Sequence, residues 1–331
     1  MRKYACLTAT CALVLLTAAS AQQPQFQNAQ LKTIAAHNLA AQLQASEGGS
    51  NSLWWGYRVQ GMAGQHWNCG TVYLDGDHGN HIEASPQYNP EPIAILLHIE
   101  DHSVTRVRAI GGQCQLDAGG SPVTWLIGAR SSQSAALLSR LASAQTTGAL
   151  AALAQSEGPD AEQAMERLAA AAGPEKVREK AVFWLGSARG HAGFLALQRL
   201  ARAANNVSLD RRIAFALSVS PDPGAVDELI RQAKLDPSPR VREQALFWLA
   251  QKAGRKAIGA ISSAVANDPD TKVKERAVFA LSQLPGGQGV PKLIQVAKTN
   301  SNLAVRKRAM FWLGQSKDPR ALAFFQQILA R

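Results

Sequence analysis

Apolar positions in the C-terminal part of this 331-residue chain follow a phrase of ten residues that returns five times, each copy 32 residues after the last. The copies are VREKAVFWLG from Val177, LDRRIAFALS from Leu209, VREQALFWLA from Val241, VKERAVFALS from Val273 and VRKRAMFWLG from Val305. Positions 1, 5 and 9 of the phrase are apolar in every copy, as in Val241, Ala245 and Leu249. That spacing predicts a helix with one buried stripe. Position 5 is Ala in four copies and Ile213 in the other, and a small residue there lets a neighbouring helix approach to about 8–10 Å.

A second apolar series, Leu197, Leu229, Ile261, Leu293 and Phe325, steps by the same interval between the phrases. Breaker clusters such as Asp222-Pro223-Gly224, Asp236-Pro237-Ser238-Pro239 and Pro285-Gly286-Gly287 separate the two series, because Pro and Gly end helices and Asp, Asn or Ser caps the next one. The chain therefore predicts helix pairs, none able to bury its apolar face alone, stacked into an α-solenoid. Met165 and Leu168 precede Leu197 and Leu200 by one period, so 131–173 is expected to hold degenerate cap repeats of a 131–331 solenoid.

Upstream the periodicity changes. Leu31, Ile34, Ala35, Leu39 and Leu43 fit one face of an amphipathic helix over 22–46. Strand-like runs follow at Trp54–Gln60, Thr71–Leu74, Ile93–Glu100, Val104–Ile110 and Val123–Ile127, the third and fourth joined as a hairpin through Asp101-His102-Ser103. Residues 22–130 read as a small α+β domain.

The pattern Val-Arg/Lys-x-x-Ala-x-x-x-Leu-Gly after an Asp-Pro turn resembles the short HEAT-like repeat named for phycobilisome lyases, across 175–331 clearly and 131–174 weakly. The resemblance implies a mainly α fold, a right-handed solenoid of HEAT-like helix pairs after the small α+β domain. It also implies that the phrase helix lines the concave face, and that the basic position-2 residues Arg178, Arg242, Lys274 and Arg306 pair with loop aspartates such as Asp236 and Asp268. At Asp210 the sign is reversed.

Position 7 is Phe in all five copies: Phe183, Phe215, Phe247, Phe279 and Phe311. At about 100° per residue it points well away from position 5. These rings make either an exposed binding ladder, flanked by Lys180, Arg212, Arg276 and Arg308, or a second core seam; the sequence leaves both open. Trp184, Ala216, Trp248, Ala280 and Trp312 alternate large and small at position 8, which reads as core packing.

Charge is uneven. The whole chain is +11, residues 22–130 hold 5 basic and 8 acidic side chains, and 131–331 hold 28 and 16. Arg2 and Lys3, an apolar run from Ala5 to Ala18 and Ala19-Ser20-Ala21 read as a secretory signal peptide over 1–21, cut before Gln22. Export leaves Cys69 and Cys114 as one expected disulfide, and a periplasmic or secreted site excludes nucleic acid as the natural partner of the basic region.

The loop DGDHGNH offers Asp75, Asp77, His78 and His81 as weak metal candidates, since the same residues also build ordinary solvated turns. No other cofactor is expected. Trp54, Trp55, Tyr57 and Trp67 near Cys69 read as core. Iron-dependent hydroxylases of HEAT architecture carry His-Glu dipeptides, and no histidine here precedes Glu. The expected function is a non-catalytic scaffold that binds an acidic protein or peptide on the concave face. The alternatives are an envelope protein gripping anionic glycan or lipid through charge, and a distant relative of HEAT-repeat lyases or oxidoreductases. Oligomeric state is left open.

Overall fold

The computed structural model describes residues 23–49, 52–76, 81–85, 87–170, 172–203 and 207–330. The expected signal peptide lies outside them. The chain divides into two compact units, Met1–Ala181 and Val182–Arg331, and the division falls inside one helix.

In the first unit a five-stranded sheet is ordered β2 (Gln30–Ala35), β10 (Pro122–Ile127), β3 (Ser52–Gln60), β7 (Pro92–Glu100) and β8 (Ser103–Gly111). Strands β3, β7 and β8 run antiparallel, and β10 is parallel to both β2 and β3. The central strands carry unbroken buried runs, Leu53–Tyr57 and Ile93–Leu97. Such runs mark strands covered on both faces.

One face packs on a three-stranded parallel sheet, β1 (Gln25–Gln27), β9 (Gln115–Asp117) and β5 (Thr71–Tyr73). Trp54, Trp125, Leu96, Val72 and Leu116 form the core between them. The helices α2 (Ser131–Ser143) and α3 (Ala149–Gln155) pack on β3 and β8, and α4 (Pro159–Ala170) packs on both helices. The Tyr57 hydroxyl, 2.9 Å from the Ser134 hydroxyl, ties β3 to α2, and burial pushes its pKa up. The free edge of β8 is met by the Thr147 carbonyl, which accepts from Val107 N at 2.8 Å. Gly148 follows at φ +82°, where an added Cβ would strike the Val107 carbonyl. A two-stranded ribbon, β4 (Gln65–Asn68) and β6 (His81–Ala84), completes the unit.

The expected helix over 22–46 is corrected. Its first part is β1 and β2, and only Leu39–Glu47 is helical (α1), with Asn38 as its cap. Leu31 and Ile34 fit a helix period, but Thr33 and Ile34 also suit a strand, and pairing with β10 decides. The β7–β8 hairpin forms as expected, with Asp101 and His102 at φ 48° and 60°.

The phrase helices are α5 (Glu175–Ala188), α7 (Val207–Val219), α9 (Pro239–Ala253), α11 (Thr271–Ser282) and α13 (Leu303–Gly314). Between them run α6 (Gly190–Ala203), α8 (Gly224–Leu235), α10 (Ile258–Asn267) and α12 (Val290–Thr299), and α14 (Pro319–Leu329) follows. Within the second unit, successive phrase helices pack on one another and on the helices between them. Local chemistry sets each start. The side chains of Asp236, Asp268 and Asn300 accept from the amide two residues on, each at 2.9 Å. Asp270 and Asn302 then cap α11 and α13.

Positions 1, 5 and 9 are buried in α9, α11 and α13. Leu197, Leu229, Ile261 and Leu293 are buried as the second series requires. In α14 the register slips by one: Phe324 is buried and Phe325 is half-buried. The connection 315–318 before α14 is as long as 220–223 before α8, where Leu229 keeps the inward position, so connection length does not set the difference.

Candidate functional site

The aromatic side chains at positions 7 and 8 of the phrase helices lie at their surface. Phe183 is 37% and Phe311 51% exposed, and Phe215, Phe247 and Phe279 are half-buried. They are therefore not a closed core seam, and neither do they stand apart. Trp184, Phe183, Phe215, Trp248, Phe247, Phe279, Trp312 and Phe311 form one unbroken path of ring contacts, with centroids 4.8–6.2 Å apart. These distances lie within the range of favourable aromatic pairing.

The alternation at position 8 has a consequence that core packing alone does not describe. Ala216 and Ala280 are fully buried, whereas Trp184, Trp248 and Trp312 are half-buried and belong to the surface path. Where the next helix presents Ala, the two phenyl rings stack: Phe183 on Phe215 and Phe247 on Phe279, both at 6.2 Å. Where it presents Trp, the indole leans over the preceding Phe: Phe215 with Trp248 and Phe279 with Trp312, both at 4.9 Å and near 48–49°. Position 8 is thus covered when it holds Ala, and when it holds Trp the larger side chain reaches from the same place to a surface recess.

Two recesses result. One, of about 460 Å³, is lined by Arg211, Arg212, Phe215, Gln244 and Trp248. The other, of about 310 Å³, has Glu275, Arg276, Phe279, Arg308 and Trp312 in the equivalent places, with Glu243 and Lys272 at its rim. Arg276 sits over the stacked pair, 6.0 Å from the Phe247 centroid and 5.5 Å from that of Phe279. Arg308 approaches Glu275 at 3.8 Å. Arg212 is exposed beside Phe215, and Lys180 is exposed on α5 within the first unit.

Beneath this surface the position-2 residues act on the turns. Arg242 grips Asp268 with both ends of its guanidinium, at 2.8 and 2.9 Å, and donates to the Asp236 carbonyl at 2.8 Å. Arg306 donates likewise to the Asn300 carbonyl at 2.7 Å. Asp210 and Asp236 occupy the places one period before Arg242 and Asp268, so like charges stand where the later repeat has a pair. Burial, with the charge of Asp236 added to it, pushes the Asp210 carboxyl up to about 6. Lys252 donates to the carbonyls of Ser218 and Ser220 at the end of α7, and burial lowers its pKa.

In the first unit Cys69 and Cys114 form the expected disulfide, with Cα atoms 5.6 Å apart. Trp54, Trp55, Tyr57 and Trp67 are buried, as a core reading requires. Asp75 accepts from the Trp54 indole at 3.3 Å, while Arg108 holds the adjacent carbonyls of Leu74 and Gly76. Asp77, His78 and the side chain of His81 lie outside the described residues. Among those described, no three His, Cys, Asp or Glu are grouped to hold a metal ion, and no helix is long and apolar enough to cross a membrane.

The HEAT repeat family matches residues 260–331, so this stretch carries HEAT repeats. No curated protein matches the chain. The solved structure of human deoxyhypusine hydroxylase in complex with glycerol is similar at 17% identity, over 60% of this chain and 90% of that one, with a TM-score of 0.32. Nothing about activity follows from a likeness of that degree.

Proposed function

We propose that the protein is a non-catalytic binding protein that takes a polypeptide partner along the aromatic ribbon of its phrase helices. The unbroken path of eight rings at the surface carries this reading. Aromatic and Arg side chains are the residues in which binding energy concentrates, and exposed apolar stripes on monomeric domains are uncommon without a use. HEAT repeats commonly serve as protein-interaction scaffolds, which agrees with the match at 260–331. The fuller architecture in this reading is a right-handed solenoid of 32-residue repeats, of the phycobilisome-lyase type, with the ribbon on its concave face. The apolar run Ala5–Ala18 and the Cys69–Cys114 disulfide support an exported protein.

The test is selection of random displayed peptides on the full chain, scored against a Phe183→Ser/Phe247→Ser/Phe311→Ser variant whose helicity is checked. Enriched peptides should bind the wild type and weaken at least about tenfold on the folded variant, as loss of hot-spot rings requires. Peptides that bind both proteins equally, or no enrichment at all, would refute the reading.

A further inference from the structure

The ribbon does not repeat once per helix pair. Its lining repeats every second pair, because the Trp/Ala alternation makes a recess only where Trp follows Ala. Arg211, Arg212, Phe215, Gln244 and Trp248 in the first recess correspond, 64 residues on, to Glu275, Arg276, Phe279, Arg308 and Trp312 in the second. Ring geometry repeats with the lining: 6.2 Å stacks at Phe183/Phe215 and Phe247/Phe279, then 4.9 Å tilted pairs at Phe215/Trp248 and Phe279/Trp312. At the stacked steps the phenyl rings lie against each other, and the two Phe–Trp recesses are the openings described along the ribbon.

The charge around those recesses is mainly cationic. Arg211 and Arg212 line the first. Lys272, Arg276 and Arg308 outnumber Glu243 and Glu275 at the second. A complementary ligand therefore carries apolar side chains for the recesses and carboxylates beside them. An anionic polysaccharide would satisfy the charge, and its C–H faces stack on aromatic rings, so it is the competing occupant that the test below sets against a peptide.

Spacing follows from helix packing. Packed helices lie about 8–10 Å apart, so two recesses separated by two helix steps are about 16–20 Å apart. An extended chain rises about 3.3 Å per residue and turns alternate side chains to opposite faces. Two anchors on the same face must be an even number of residues apart, and about six residues span the distance. We infer that the ribbon recognises an extended acidic peptide with two aromatic or large aliphatic anchors six residues apart, one for each Phe–Trp recess. This rests on the ribbon being the binding surface, and adds the register, conformation and charge of what it binds.

The experiment uses the full chain and synthetic fluorescein-labelled peptides that carry two Phe anchors, each flanked by Asp. Anchor spacings of four, five, six, seven, eight and eleven residues are compared with single-anchor controls by fluorescence anisotropy. Spacing six should bind best, about tenfold or more tighter than the single-anchor peptide, because the second anchor engages intramolecularly. Spacings five and seven should fall back to the single-anchor value. Trp248→Ala and Trp312→Ala should each abolish the advantage of spacing six while leaving single-anchor binding within about twofold, since one recess remains. Arg211→Glu with Arg308→Glu should weaken every peptide.

A flat spacing profile with ring-dependent binding would overturn the two-recess register and leave the ribbon as a binding surface. An optimum at eleven, where helical anchors share a face, would overturn the extended conformation. No binding by any peptide, together with binding of a polyuronate glycan, would overturn both the inference and the peptide-binding reading beneath it.

Discussion

Replacing Arg242 by leucine should be the most costly single change in the second unit that leaves its apolar stripe untouched. The Arg242 and Asp268 side chains are 8% and 4% exposed, and the pair is joined by two hydrogen bonds of 2.8 and 2.9 Å. Arg242 also holds the carbonyls of Asp236 and Pro237, at 2.8 and 3.3 Å, so it links the turn before its own helix to the turn before the next. Removing one partner of a buried pair leaves the other charge uncompensated, at about 3–5 kcal/mol. Asp268 keeps one donor, the Asp270 amide at 2.9 Å, which places Arg242→Leu near the low end, about 3 kcal/mol. Asp268→Ala removes that turn bond as well, while Arg242 keeps two carbonyl acceptors, so it should cost about 3 kcal/mol too. The double substitution leaves no orphaned charge and should cost clearly less than the two singles together, with a coupling of about 1.5–3 kcal/mol. Urea unfolding of all four proteins, followed by far-UV circular dichroism at neutral pH, measures the cycle. Additive losses, or a single-variant loss below about 1 kcal/mol, would refute the claim that this pair clamps adjacent repeats.

Three further outcomes follow from other parts of the fold. The Asp210 carboxyl is raised to about 6 from 3.8, so the folded state holds a proton that the unfolded chain releases; stability from this group is full below pH 4 and is lost as pH rises through 6. Half-exposed, the group is screened, so Asp210→Asn should stabilise by about 1 kcal/mol at pH 7.5 and by nothing at pH 3.5, in parallel urea titrations. Asp210→Arg should gain more, by supplying Asp236 with the partner that Arg242 gives Asp268. A Cβ at Gly289 would strike the Leu281 carbonyl, so Gly289→Ala should lower the thermal midpoint, with a cost of about 1–3 kcal/mol. Reducing Cys69–Cys114, which closes a separation of 45 residues, should destabilise the first unit by about 2–4 kcal/mol, read by urea unfolding with and without dithiothreitol.

The repeat helices were legible because one constraint acts alike on every copy. Val241, Ala245 and Leu249 are buried in the same way as Val273, Ala277 and Leu281, so the stripe is written several times over. The turn aspartates were legible for the same reason, as was the break at Asp210. The strands β1 and β9 were harder to read, whereas β5 was expected at Thr71–Leu74. Three residues carry no period, and their places come from pairing with distant segments, such as Gln25 with Gln115. At β2 both templates fitted, and the partner strand chose. The Phe ladder could be found but not placed, since position 7 sits where neither burial nor exposure is dictated by spacing. Trp248 and Trp312 were read as core alone because spacing gives the direction of position 8, where Ala is buried, but not how far an indole reaches beyond it. In α14 the buried ring is Phe324 and not Phe325, which the 32-residue series does not explain.

Site-specific photocrosslinking tests the ribbon most directly. p-Benzoylphenylalanine is placed at Gln244, in the first recess, and at Arg308, in the equivalent place of the second, with the exposed Leu235 on the intervening helix layer as control. The full chain is irradiated with envelope extract and with the spacing-six peptide. Adducts at Gln244 and Arg308 but not at Leu235, competed away by unlabelled peptide, are the predicted result. Adducts confined to Leu235, or formed equally at all three positions and insensitive to competition, would contradict it.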